Sequence, residues 1–361
     1  MIRLLIVDDS PLMRRLLRGI FGAEDDFTVE VARDGADALA RVHTFAPDVI
    51  TMDIHMPGMD GMATLDRIML ERPTPVVMVS ALTENGAAET LDAMALGAVD
   101  FVAKPAGPIS LEIEDLAPTL VGKVRLAATA KLSRTSRLAE RVRLNTGATS
   151  RKAPPHTVVP ARPLQRLDSR DGLVLIGTST GGPPALEAVL TALPANFPWP
   201  ILIAQHMPAT FTGPLARRLD GLCQLHIEET SRPTQLRAGH AYIARGDADV
   251  VISRRATGLF AMPAPQSPDH HWHPSVDRMV ASAMAHVEPE RLIGVLMTGM
   301  GDDGAETMAR LKQEGGTTIA EAEESAVVWG MPGSLVRRDG AAQVLALSGI
   351  ADALRALVPS G

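Results

Sequence analysis

The chain has 361 residues, a net charge of −7 and a hydrophobic share of 46%, which suits two ordinary globular domains of roughly 100–200 residues each. Aromatic residues make up only 3% and Cys223 is the single cysteine, which excludes an internal disulfide and a thiolate metal cluster and leaves Leu, Val, Ile, Met and Ala to fill the cores. Met1, Ile2 and Arg3 run straight into an apolar strand pattern rather than a signal peptide, and no apolar run is long enough to span a bilayer. A cytoplasmic protein with no membrane insertion is expected, with Cys223 as a buried small hydrophobe.

Charge divides the chain more sharply than hydropathy. Residues 1–122 hold 9 basic against 20 acidic residues, 123–170 hold 12 against 2, and 171–361 hold 14 against 20. The basic stretch also carries Pro154, Pro155, Pro160 and Pro163 and reads as a tether. The expected division is a domain over 1–122, a basic Pro-containing linker over 123–168 and a second domain over 169–361. The linker has no aromatic residue for base stacking and joins two acidic domains, so no nucleic-acid partner is expected.

In the first domain, apolar runs at Arg3–Val7, Thr28–Ala32, Asp48–Met52, Val76–Ser80 and Val99–Ala103 alternate with amphipathic segments. This alternation predicts a doubly wound parallel sheet, whose ligands bind at the carboxyl ends of the strands. Asp8 and Asp9 follow the first run, Asp53 the third, Ser80 ends the fourth and Lys104 follows the fifth. Three converging carboxylates need a cation, and hard oxygen ligands suit Mg2+. Asp53 can then accept a phosphoryl group, with Lys104 neutralising its oxygens and the Ser80 hydroxyl bonding to it. Any one of these acids alone reads as a cap or a solvated loop residue; the combination of five sites at four strand ends is specific.

Val7-Asp8-Asp9, Asp53, Ser80 and Phe101-Val102-Ala103-Lys104-Pro105 resemble a response-regulator receiver domain of the flavodoxin-like class over about residues 1–122. The resemblance implies that Asp53 is the phosphorylation site, that Asp8 and Asp9 hold Mg2+, and that Phe101 fills the switching aromatic position; a plain core Phe is the competing reading for Phe101.

In the second domain, the strand pattern Leu173–Ile176 ends in Gly177-Thr178-Ser179-Thr180-Gly181-Gly182 and is followed by a helical run from Pro184 to Leu193. A serine on a tight strand-to-helix turn is lifted clear of the sheet, with helix-start amides near it, so Ser179 is the expected nucleophile. A phosphate-binding turn is the alternative, but no phosphate-binding Lys or dinucleotide spacing follows. A serine hydroxyl needs a base. Ile201–Ala204 leads into Gln205-His206, placing His206 at another strand end, whereas His226 and His240 sit in strand-like surroundings and His270, His271 and His273 crowd a loop. Leu292–Met297 leads into Thr298-Gly299-Met300-Gly301-Asp302-Asp303, where either acid could orient the imidazole and the other could cap the next helix. The order Ser, His, Asp departs from the α/β-hydrolase order of Ser, Asp, His.

These segments, with His273-Pro274-Ser275-Val276-Asp277, resemble the catalytic domain of chemotaxis protein-glutamate methylesterases over about residues 171–358. The resemblance implies a Rossmann-like fold, a triad of Ser179, His206 and Asp303, and no cofactor in this domain. Backbone amides near Thr180 and Met300 are the expected oxyanion donors. It further implies hydrolysis of receptor glutamate methyl esters, deamidation of receptor glutamines, methyl-accepting chemoreceptors as substrates and a chemotaxis histidine kinase as phosphodonor. An unphosphorylated receiver is expected to cover the catalytic edge. Trp272-His273 departs from the family pattern in a substrate-facing loop.

Overall fold

The computed structural model describes residues 1–81, 83–104, 109–130 and 172–358. Most of the expected linker therefore lies outside the described residues. The chain forms two compact units, Met1–Val159 and Pro160–Gly361.

The first unit is a five-stranded sheet in the order β2-β1-β3-β4-β5, with every pair parallel. The strands are β1 (Ile2–Val7), β2 (Phe27–Ala32), β3 (Val49–Asp53), β4 (Val76–Ala81) and β5 (Asp100–Lys104). Helices α1 (Pro11–Gly22), α2 (Gly35–Thr44), α3 (Gly61–Glu71) and α4 (Glu84–Leu96) make the crossovers, and α5 (Ile109–Ala127) follows β5. Leu4, Leu5, Ile6, Ile50, Met52, Val76, Val77 and Met78 are fully buried, as the central strands of a sheet covered on both faces require. The local chemistry starts the helices: Ser10 accepts the Met13 amide of α1 ahead of Pro11, and Asp34, Asp60 and Thr83 cap α2, α3 and α4 in the same way. Charge alone places the end of this domain at residue 122, but α5 continues to Ala127. Val124 is fully buried, and Arg125 pairs with Asp26 and Glu24 at 2.7 and 2.9 Å. A basic side chain on the rim of a packed helix thus belongs to the fold, not to the tether.

The second unit has a seven-stranded parallel sheet in the order β15-β14-β13-β6-β7-β10-β8. Its strands are β6 (Leu173–Thr178), β7 (Ile201–Gln205), β8 (His226–Thr230), β10 (His240–Ala244), β13 (Leu292–Leu296), β14 (Thr317–Glu321) and β15 (Gln343–Leu345). A small antiparallel sheet of β9 (Thr234–Gln235), β11 (Asp249–Arg255) and β12 (Gly258–Ala264) is added to it. The helices are α6 (Gly182–Leu190), α7 (Ala209–Leu222), α8 (Val276–Met284), α9 (Ala305–Gln313), α10 (Met331–Arg337) and α11 (Leu347–Leu357). Strands β6, β7 and β13 are buried along their whole length, matching their unbroken apolar runs. Both units are doubly wound, and the sheet order reverses between β1 and β3 in the first and between β6 and β13 in the second. Ligand sites form at such points.

Candidate functional site

In the first unit the carboxyl edge at β1, β3 and β5 gathers the expected residues. Asp8 is 1% exposed and Asp53 6%, while Asp9 is exposed. Each of the three offers an oxygen within 4.8 Å of the others, a hard-donor set that fits a divalent cation. The Lys104 ammonium from the end of β5 lies 2.7 Å from Asp53 Oδ2 and 3.2 Å from Asp8 Oδ2. Burial, reinforced by the Asp53 charge, outweighs Lys104 and the Ser10 amide and raises the Asp8 pKa above the ordinary value. Burial opposes the Lys104 charge as well, but its bond to Asp53 and the charge of Asp8 outweigh that and hold its pKa above normal. The cluster therefore carries more carboxylate than one ammonium balances. The Ser10 amide donates to Asp8 Oδ1 at 2.8 Å and Arg14 donates to the carbonyls of Asp8 and Asp9 at 2.7 and 2.9 Å, so the start of α1 fixes this loop. Phe101 is 4% exposed, with the Lys123 ammonium 5.2 Å from its ring centroid. Ser80 pairs with Ala103 in the β4–β5 register; its side chain lies outside the described residues.

In the second unit three adjacent strands, β13, β6 and β7, deliver Asp303, Ser179 and His206 to one edge. The Ser179 amide donates to the Thr298 carbonyl beyond β13, and the His206 amide to the Thr178 carbonyl, both at 3.0 Å. The His206 side chain is 5% exposed, and its Nε2 lies 2.8 Å from Asp303 Oδ2. Among the described residues its Nδ1 has no hydrogen-bond partner. An unpaired buried ring nitrogen costs about 1–3 kcal/mol and is kept where something else uses it. The bond to the carboxylate places the proton on Nε2 and leaves Nδ1 as an acceptor.

The two adjacent acids part company. Asp302 is exposed and pairs with Arg338 at 3.1 Å, whereas Asp303 turns inward. Asp303 accepts from the amides of Val276 and Asp277 at 2.7 and 3.0 Å and from the Ser275 hydroxyl at 3.1 Å, in addition to His206. Burial opposes its charge, but the His206 bond and charge and the helix-start amides outweigh it, holding the carboxyl below its ordinary pKa. Ser275, the N-cap of α8, is itself fixed by Asp249, which accepts from the Ser275 amide at 2.9 Å, His273 Nδ1 at 3.0 Å and Arg278 at 2.6 Å. His273 thus serves this loop. Trp272 lies flat on His206, with centroids 5.2 Å apart and planes at 9°. His226 and His240 face each other at the starts of β8 and β10, away from the Ser179 edge. Half-buried Cys223 has its thiol pushed up to about 11, chiefly by burial and secondarily by Glu187 and Asp220.

Two glycines give the serine its setting. Gly181 has φ +76°, the left-handed conformation that turns the chain into α6, which starts without a side-chain cap. A Cβ on Gly299 would stand 2.8 Å from Ser179 Cβ and would also strike Met331. Thr180 and Met300 each follow one of these two contacting residues, so both backbone positions border the serine; Thr180 is 4% exposed. Thr298 and Ser275 stand in the sequence motifs without an expected role, and Asp249 and Glu321 were not singled out by sequence. A strand-ending acid after the apolar run of β14 was the available signal for Glu321.

The family model for the CheB methylesterase matches residues 174–354, and that for the response regulator receiver domain matches residues 4–113. A protein-glutamate methylesterase/protein-glutamine glutaminase of Rhodopseudomonas palustris is 56% identical over 98% of this chain and 97% of its own length. One from Rhodospirillum rubrum is 53% identical over 99% of this chain and 96% of its own. The crystal structure of the Thermotoga maritima CheB methylesterase catalytic domain is 36% identical, covering 51% of this chain and 97% of that one at a TM-score of 0.49. The chain belongs to the CheB-type family of protein-glutamate methylesterases/protein-glutamine glutaminases, with a receiver domain preceding the methylesterase domain.

Proposed function

We propose that the chain demethylates glutamate methyl esters of methyl-accepting chemoreceptors, with Ser179 as nucleophile, His206 as base and Asp303 as its orienting acid. The observation that carries this is the His206–Asp303 bond through Nε2, which leaves a buried Nδ1 unpaired among the described residues, on the residue that follows Gln205 just as Ser179 follows its β6 partner Thr178. Nδ1 takes the proton of the Ser179 hydroxyl as Oγ attacks the ester carbonyl, and Asp303 stabilises the resulting imidazolium. The imidazolium returns that proton to the departing methoxide, releasing methanol. Water, deprotonated by the same nitrogen, then cleaves the acyl-serine and regenerates the hydroxyl. With a glutamine side chain the leaving group is ammonia, which gives the glutaminase reaction. Amides at Thr180 and Met300 are the donors assigned to the oxyanion.

Asp53 is the phosphorylation site in this reading, with a chemotaxis histidine kinase as donor. Asp8, Asp9 and Asp53 would hold Mg2+, which supplies charge neutralisation for phosphoryl transfer. Lys104 orients Asp53 and carries the remaining positive charge. Ser80 and Phe101 are assigned the switch positions. No described helix is long and apolar enough to cross a membrane, so the protein meets membrane-borne receptors without inserting a described helix.

Methanol release from methylated receptor is the test, measured for wild type and Ser179→Ala with and without a phosphodonor. Release that is stimulated by the donor and lost in the variant is expected; full activity of Ser179→Ala would refute the assignment.

A further inference from the structure

Behind the serine turn lies a buried carboxyl group that the triad does not use. Glu321, the last residue of β14, is 0% exposed, and among the described residues it forms no ion pair. Its Oε2 accepts the Thr298 amide at 2.8 Å, and its Oε1 accepts the Ser325 hydroxyl at 2.9 Å. Thr298 in turn holds three consecutive residues of the serine turn. Its carbonyl accepts the Ser179 amide at 3.0 Å and the Thr178 hydroxyl at 2.9 Å, and its own hydroxyl donates to the Thr180 carbonyl at 2.8 Å. The Val328 amide donates to that same hydroxyl at 3.0 Å, closing the layer from the far side.

We infer that Glu321 is a positioning residue for the esterase reaction, setting both the placement of Ser179 and the charge behind it through Thr298. This rests on Ser179 being the nucleophile. An acceptor at this point fixes the Thr298 amide and, through it, the turn; a negative charge at the same point opposes the oxyanion that forms beside Ser179. The neutral carboxyl therefore supports the reaction better than the carboxylate.

The surroundings allow both forms. Burial, only partly offset by the Thr298 amide and the Ser325 hydroxyl, pushes Glu321 up to about 7. The groups that meet it are the Thr298 amide beyond β13, Ser325, and the indole Nε1 of Trp329, which donates to its backbone carbonyl at 2.9 Å; Glu323 and Glu324 on the same segment are exposed. Ser325 Oγ accepts the Leu347 amide at 2.9 Å and can turn its own hydrogen to the Ala322 carbonyl at 3.3 Å. A protonated Glu321 can then donate to Ser325 while still accepting from Thr298, so proton uptake leaves no partner stranded.

The test measures the rate at which a fluorophosphonate probe labels Ser179 in the full-length protein from pH 6 to 8.5, with Mg2+ and acetyl phosphate in every arm. Glu321→Gln keeps the acceptor without the charge, and the ratio of its rate to that of wild type cancels the ionisation of His206. The ratio is expected near unity at pH 6, rising roughly three- to thirtyfold by pH 8.5, as removing one unit charge nearby predicts. A ratio flat across the range would overturn the electrostatic role. Glu321→Leu, which strands the Thr298 amide, is expected to label on the order of 100-fold more slowly at every pH; labelling of the folded variant at the wild-type rate would overturn the positioning role. Absence of labelling at Ser179 in wild type would instead refute the underlying nucleophile assignment, so the two failures are separable.

Discussion

Asp303 and Asp277 cap each other's helices. Asp303, just before α9, accepts the first amides of α8, and Asp277, in the first turn of α8, accepts the Thr307 amide of α9 at 3.0 Å together with the Thr307 hydroxyl. The exchange drives the two carboxyls apart. Burial, with the Asp303 charge adding to it, raises Asp277 despite its bonds to Thr307, while His206 and the amides lower Asp303. The stability from Asp303 is thus present above its unfolded pKa and lost as pH falls through its lower folded value. That from Asp277 is full below its unfolded pKa and lost as pH rises through its raised one.

Replacing Asp303 with Asn keeps most of the shape but withdraws the charge that orients His206. A kcat loss of about 10³–10⁴-fold with little change in KM is expected in a methanol-release assay. Asp302→Asn, which alters an exposed pair with Arg338, should lose less than about threefold, since such pairs contribute at most about 1 kcal/mol.

Gly299→Ala forces a methyl group against Ser179 and Met331. The expected result is a folded protein by circular dichroism with kcat lowered on the order of 100-fold, because Met331 can swing aside whereas the contacts with Ser179 Cβ at 2.8 Å and the Ser179 amide at 3.0 Å are relieved only by shifting the serine turn. Wild-type turnover in this variant would show that the 298–301 loop does not control the serine.

Trp272→Ala removes the indole stacked on His206. Aromatic stacking contributes about 0.5–1.5 kcal/mol, so kcat should fall roughly 2- to 10-fold, with Trp272→Phe recovering most of it in the same assay.

Glu321 supplies a stability test independent of turnover. Its folded pKa of about 7 exceeds the ordinary 4.5, so the unfolded chain releases this proton first as pH rises. Stability from this group is full below about pH 4.5 and falls through pH 7. Glu321→Gln should therefore stay within about 1 kcal/mol of wild type in urea at pH 5 and exceed it at pH 8 by on the order of 3 kcal/mol. Equal midpoints at pH 8 would refute this.

Asp53→Asn should abolish stimulation by a phosphodonor in the methanol-release assay, since an amide cannot form the acyl phosphate.

The sequence by itself determined the parallel strands and what stands at their ends. A buried strand is an unbroken apolar run, and the residue that breaks it lies at the carboxyl edge, so Asp8, Asp53, Ser179 and His206 were legible as edge residues before any contact was known. Even so, β8 and β10 emerged only as the strand-like surroundings of His226 and His240, and β9, β11 and β12 did not emerge, because short, partly exposed strands leave too brief a pattern. The charge boundary at residue 122 falls inside α5 because Arg125, basic like the tether, is held by Asp26 and Glu24 from a distant part of the chain. Only the tertiary structure decided the rest. Residue type leaves Asp302 and Asp303 equivalent; the start of α8 on one side and Arg338 on the other separates them. It also decided which nitrogen of His206 is left unpaired, that Trp272 covers its ring, and that Glu321 stands behind Ser179. Such relationships depend on side-chain direction across elements far apart in sequence, whereas strand ends are set by their immediate neighbours.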